Sequence, residues 1–230
     1  MERNMNNLIG LKVGAVDGEI GKVADFYFDD KTWTIRYLVV HTGSWLFGRK
    51  VLISTSVLEK QFWQTGVFPV NLTMEQIGNS PDIDMQSPVT RKHEIELQGY
   101  YQWQNYWATS MLGGNIWETN IQVPNIPEES KEQHEEPPPK ADSSGARLRS
   151  AMQVMGYRLH ATDEEIGYVD DYLVDDDSWQ IHFLVLDIRK WLDSRKVLIP
   201  SSRIREVGWE NNEIFADLSS EAIRNSPEHI

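Results

Sequence analysis

Residues 10–53 read GLKVGAVDGEIGKVADFYFDDKTWTIRYLVVHTGSWLFGRKVLI, and residues 156–199 read GYRLHATDEEIGYVDDYLVDDDSWQIHFLVLDIRKWLDSRKVLI. The second stretch follows the first by 146 residues and aligns with it without a gap. The match runs on to Asn-Ser-Pro at 79–81 and 225–227, and 29 of the 72 aligned positions are identical. A gap-free match of that length marks a duplicated unit. Tryptophans recur as Trp33/Trp179, Trp45/Trp191 and Trp63/Trp209, and glycines as Gly10/Gly156 and Gly21/Gly167.

Each unit reads as a succession of short strands. Residues 8–14 form a first candidate strand, and Asp17-Gly18 is a tight-turn signal before a second. Residues 20–28 place Ile20, Val23, Phe26 and Phe28 in a longer strand, where Gly21 suggests a bulge or a close backbone approach. Asp29 to Thr32 is a polar turn, because short polar side chains bond locally to the backbone. Trp33 to His41 is β-branched and aromatic with partial alternation. Arg49 to Ile53 follows. A last hairpin joins 57–63 to 67–72 around Thr65-Gly66, with Asn211-Asn212 at the same turn in the second copy. Thr73 and Ser219 then N-cap a short helix. Turns every 8–12 residues predict a mainly β fold: two small barrels of about six strands each. The tryptophans are expected to centre the interior of each copy.

The boundaries drawn from this are 1–83 for the first barrel, 84–148 for an intervening segment, and 149–230 for the second. Within the middle segment, residues 90–107 read as a helix capped by Thr90. Its loose apolar face holds Tyr100, Tyr101 and Trp103, either a docking surface or a cover for the barrel's own edge. Residues 124–145 are rich in Pro, Glu, Ser and Lys, and predict a flexible acidic linker.

Composition excludes several functions. Cysteine is absent, so disulfides, thiolate ligands and thiol nucleophiles are ruled out. The 22 Lys+Arg against 35 Asp+Glu leave a net charge of −13, which disfavours direct nucleic-acid contact or attraction to an anionic membrane. The first residues lack the apolar core of a signal peptide, and no stretch is long enough to insert in a membrane, so a cytoplasmic location is expected. The six histidines show no zinc spacing, and Ser54, Ser56, Ser201 and Ser202 lack a nucleophile-elbow setting. The Asp clusters at 25, 29 and 30 and at 170, 171 and 175–177 read as turn and surface residues, with a Ca²⁺ or Mg²⁺ site as the alternative, although the EF-hand spacing is absent. No catalytic, cofactor-binding or metal residue is assigned, no cofactor is expected, and the chain is expected not to be an enzyme.

The opening glycine at 10 and 156, Glu-Ile-Gly at 19–21 and 165–167, the Asp-Asp turn, and Trp-Leu-x-x-Arg-Lys-Val-Leu-Ile at 45–53 and 191–199 resemble the PRC-barrel domain. That domain is known from the cytoplasmic part of the photosynthetic reaction-centre H subunit and from a ribosome-maturation factor. The resemblance covers 5–81 and 151–227. Residues 80–107 also resemble the tail that often follows the barrel in two-barrel members. It implies a barrel used for protein contact without chemistry of its own. A scaffold or interaction module is the reading it favours. An accessory role in reaction-centre electron transfer and a ribosome-maturation role are the alternatives. The cation–aromatic repeat (Trp45, Arg49, Lys50; Trp191, Arg195, Lys196) is a candidate contact surface, for an acidic partner or for the sister barrel, beside Tyr100, Tyr101 and Trp103; the alternative is that its Arg and Lys cap the barrel rim and pair with the Asp turns. The protein partner itself is unnamed, and packing of one barrel on the other or a homo-oligomer is open.

Overall fold

In the computed structural model, residues 1–58, 66–81, 89–103, 148–188, 195–208 and 210–229 are described. The first unit contributes β1 (Glu2–Asn4), β2 (Lys12–Ala15), β3 (Gly18–Asp29), β4 (Thr34–His41), β5 (Lys50–Ser54) and β6 (Val67–Pro69). Two helices follow, α1 (Met74–Gly78) and α2 (Arg91–Tyr101). The second unit repeats the plan with β7 (Leu148–Ser150), α3 (Ala151–Val154), β8 (Arg158–His160), β9 (Glu165–Asp175), β10 (Ile181–Asp187) and β11 (Lys196–Pro200). It ends with β12 (Ile204–Gly208), β13 (Glu213–Ala216) and α4 (Ser220–Arg224).

The protein is mainly β, in two sheets. One runs β5-β4-β3-β2-β6 and the other β11-β10-β9-β8-β13-β12. Neighbours pair antiparallel except β2 with β6 and β8 with β13, which run parallel. The expected complement of about six strands per unit is present. Among the described residues, however, the hydrogen-bonded path through each sheet is open rather than closed into a cylinder. The expected strand at 8–14 is confined to β2, because Met5 to Asn7 form a 3-10 turn and Gly10 adopts a φ of 83°. The expected strand at 57–63 falls mostly outside the described residues. Its counterpart is the hairpin β12–β13, whose turn residue Asn212 sits at a φ of 56°.

The long strands β3 and β9 explain the architecture. In β3, residues 18–22 pair with β2, and the strand then outruns that partner. The open edge at Tyr27, Phe28 and Asp29 is filled by β7, from the front of the other unit. β1 does the same for β9 at Leu173, Val174 and Asp175. The exchange is reciprocal at the repeat offset: Arg149 faces Phe28, and Arg3 faces Val174. An unpaired edge would be a template for aggregation, and each unit covers the other's.

A second crossing lies where Thr34 bridges Gln180. Ile35 N–H donates to the Trp179 carbonyl at 2.8 Å, and Ile181 N–H donates to the Trp33 carbonyl at 2.7 Å. Both tryptophans stand in the left-handed region, at φ 54° and 59°. The turn before each makes this possible. The Asp29 carboxylate accepts from the amides of Lys31 and Thr32, and Asp175 accepts from those of Asp177 and Ser178. The interior is therefore shared, where the repeat alone suggested a separate tryptophan-centred core in each copy. Trp179 packs on Phe26 and Phe68 of the first unit, with ring centroids 6.3 and 6.0 Å apart. Phe28 lies 6.2 Å from Tyr172 of the second. One apolar cluster runs through both units.

Gly21 and Gly167 sit where the chain crosses the next strand. A Cβ there would lie 2.1 Å from the His41 carbonyl oxygen and 2.3 Å from that of Asp187, so no larger residue fits without moving backbone.

A shared core predicts a single unfolding event. Urea unfolding followed by tryptophan fluorescence and by far-ultraviolet circular dichroism should give coincident transitions, whereas independent units would separate them. Trp179→Ala should lower the midpoint of that one transition, by about 3–5 kcal/mol in stability.

Candidate functional site

The loop between β4 and β5 carries the first half of the cation–aromatic repeat. Thr42 closes its base, with Oγ1 donating to the Arg49 carbonyl at 2.7 Å. Gly43 to Leu46 make a 3-10 turn, and Gly43, Phe47 and Gly48 all take positive φ. Trp45 is half-buried, and its Nε1 donates to the Ile20 carbonyl at 2.5 Å. The Arg49 guanidinium forks onto the carbonyls of Gly78 and Ser80, at 3.0 and 2.6 Å. Those oxygens lie at the C-terminal end of α1, where helix carbonyls lack partners and a cation is favoured. Trp45 and Arg49 thus tie α1 to the sheet, while Lys50 points to solvent. At the tip, Phe47 is 98% exposed. Sequence reading did not single it out.

In the second copy, Trp191 lies outside the described residues. Lys196 Nζ donates to Asp170 at 2.6 Å, which raises the lysine pKa, and Arg195 Nε lies 3.9 Å from Glu228.

α2 begins where expected, with Thr90 accepting from the His93 amide, and ends at Gln102, which takes a φ of 58°. The expected continuation to 107 falls outside the described residues beyond Trp103. The helix covers the outer face of the first sheet, over Tyr27, Tyr37, Val39 and Leu52. Tyr101 stacks on Trp103 with centroids 4.2 Å apart, and Trp103 lies 6.5 Å from Tyr37. Glu94 is buried, accepting from Tyr37 Oη at 3.4 Å and lying 3.1 Å from the Arg91 guanidinium. Burial, with the Glu94 charge adding to it, pushes the Tyr37 hydroxyl well above its ordinary pKa. Tyr100 is partly exposed, and its hydroxyl donates to the Gln76 carbonyl at 2.9 Å. Tyr101 and Trp103 are thus directed at their own sheet, and Tyr100 at α1.

The acidic clusters have structural work that residue type alone did not reveal. Asp25 accepts from the Met152 amide at 3.0 Å and from Ser150 Oγ at 2.5 Å, across the exchange. Asp171 accepts from the Asn6 amide at 3.1 Å, the same bond under the repeat. Asp30 holds Arg149 Nε at 2.7 Å, and Asp176 holds Arg3 Nε at 3.2 Å. The available signal was that Arg3 and Arg149 share the 146-residue offset. Among the described residues, no three His, Asp or Glu side chains are grouped to hold a metal ion, and no helix is long and apolar enough to cross a membrane.

Each unit opens on a positive-φ glycine, and the Trp45-Leu46 loop of the first lies against its sheet, in the pattern that carries the sequence resemblance. Residues 1–64 and 159–221 both match the family model of the PRC-barrel domain. The chain belongs to the PRC-barrel family. No curated protein matches it. PRC-barrel domains are generally non-catalytic modules, and this chain carries two of them, clasped by their leading strands.

Two outcomes test these roles. Arg49→Ala should strip both caps from the α1 carbonyls and lower stability by about 1.5–3 kcal/mol in urea, and Arg49→Lys should fail to restore it, because an ammonium lacks the fork. Burial raises the pKa of Asp25 and of Asp171. The folded state then holds a proton that the unfolded chain releases first, so their contribution is most favourable below the ordinary Asp pKa and falls as pH rises through the folded value. Asp25→Asn and Asp171→Asn should therefore gain stability relative to the parent as pH rises from about 4 toward neutrality, read from urea midpoints.

Proposed function

We propose that this tandem PRC-barrel chain is a non-enzymatic scaffold that presents its surfaces to a protein partner. The observation that carries the reading is the reciprocal clasp. β1 and β7 are exchanged, and the two units share one core, so the faces of both are held in a fixed relation. A fixed relation between two faces lets a partner engage both without the ordering cost of a flexible tether. Family membership adds that PRC-barrels are generally non-catalytic. The charged side chains at the crossing are used internally: Asp25, Asp30, Asp171 and Asp176 all bond to the exchanged segments.

The test is affinity purification of the tagged full chain from its own cells, with bound proteins identified by mass spectrometry. The expected result is a defined protein enriched over the tag alone and bound stoichiometrically to purified chain. Co-purification with reaction-centre material would give the accessory role in photosynthetic electron transfer. An enrichment set no different from the tag control would overturn the scaffold reading.

A further inference from the structure

The two copies differ in one row of side chains that crosses the sheet. In the first unit, Lys12 lies opposite Lys22, Lys22 opposite His41, and His41 opposite Lys50, on β2, β3, β4 and β5. Directly opposed residues share a face of the sheet. Their chain neighbours Val13, Val23, Val40 and Val51 belong to the buried core, so the row faces outward, and all four basic residues are exposed. Lys12 and Lys22 are opposed like charges, which cost stability. Lys12 is relieved by Glu19 at 2.7 Å, and Lys50 acts at a distance on Asp25. Neither the Lys22 nor the Lys50 ammonium makes an ion pair or hydrogen bond with any described residue.

The same row in the second unit is Arg158, Tyr168, Asp187 and Lys196, in the same register. There the charges are balanced: Arg158 reaches Glu165 and Glu213, and Lys196 reaches Asp170. Ala24 stands in the first unit where Asp170 stands in the second. Duplication therefore left one copy neutralised and the other with three lysines and a histidine, whose Nδ1 accepts from the Gly43 amide, within a chain of net charge −13.

Phe47 adds an independent observation. It stands 98% exposed on the loop joining β4 to β5, at the end of the sheet where the row lies. The His41 ring passes 3.6 Å from where a Cβ on Gly48 would be, which sets the loop beside the row. The position matching Phe47 is Asp193. An aromatic tip and four basic side chains thus meet in the first copy.

The shape selects the ligand. Val39 and Leu52, the next outward-facing residues along β4 and β5, and Ala24, in the bulge of β3 before Asp25, pack in the cluster under α2 and its C-terminal turn. A helix with its side chains is about 10 Å thick, so the row is the floor of a step walled by α2. A flat bilayer meets the wall first, and an extended chain fits along the floor. Three strand spacings make the row about 14 Å long, the reach of about four extended residues.

We propose that this step binds an extended acidic segment of a partner protein, with carboxylates over Lys12, Lys22, His41 and Lys50 and an apolar side chain against Phe47. The proposal rests on the scaffold reading above and names the partner's chemistry at one surface.

The test uses the full chain and a fluorescein-labelled peptide, Leu-Glu-Glu-Asp-Glu, followed by fluorescence anisotropy at low salt. The peptide should bind the parent. Lys22→Glu combined with Lys50→Glu should weaken binding by at least about tenfold. Phe47→Ala should weaken it as well. Lys92→Glu, the same charge reversal on the first turn of α2, should leave it unchanged. These positions are exposed, so unfolding midpoints matching the parent's show that the fold is kept. Equal binding by the double variant, or no binding by the parent, would overturn the proposal. So would co-sedimentation of the parent with phosphatidylserine vesicles that Phe47→Ala abolishes, in the absence of peptide binding. If the peptide fails while affinity purification still yields a stoichiometric partner, the scaffold reading stands and the contact lies elsewhere.

Discussion

Two backbone hydrogen bonds, from Ile35 to the Trp179 carbonyl and from Ile181 to the Trp33 carbonyl, fix the centre about which the molecule is arranged. Both need a tryptophan in the left-handed region, a conformation that costs a non-glycine residue of the order of 1–3 kcal/mol. The cost is offset by what the bend achieves. Each carbonyl is aimed across the dyad, and each indole is delivered into a common interior, 5% and 8% exposed for Trp33 and Trp179. With those bonds in place, β1 and β7 meet the free edges of β9 and β3, and Asp25 and Asp171 meet the amides that follow those strands.

The arrangement is that of a twofold dimer written into one chain. A twofold interface uses the same patch from both sides, so every contact between i and j returns as one between j and i. That reciprocity constrains the residues near the dyad twice over: Asp25 and Asp171, Asp30 and Asp176, Trp33 and Trp179, and Ile35 and Ile181 agree between the copies, while the bridging Thr34 and Gln180 differ. Away from it the copies were free to part. The outward rows of the two sheets carry different charges, and Phe47, at the loop tip of the first unit, is matched in the sequence by Asp193.

The strands, their turns and the helix caps were legible because each has a local signal. Thr73, Thr90 and Ser219 cap the helices they were expected to cap. β1 and β7 were not legible: three residues give no periodicity to read, and their partners lie more than a hundred residues away. Trp45 and Arg49 were read from residue type as a contact surface or a rim cap paired with the Asp turns; the groups that hold them are the backbone carbonyls of Ile20, Gly78 and Ser80, which residue type does not locate. The basic row is scattered over four strands and becomes a row only when register aligns it.

The strand exchange also governs the order in which the chain can acquire its structure. As synthesis proceeds, Glu2–Asn4 emerges well before β9, and its place there does not exist until residues 173–175 have been made. The first sheet in turn keeps an open edge at Tyr27–Asp29 until Leu148–Ser150 arrives. Closing such long loops carries an entropic penalty that must be met before the contacts return anything. The nascent first unit is therefore an unfinished object, its tryptophan turn bent toward a neighbour still to be translated, and the two halves reach completion together.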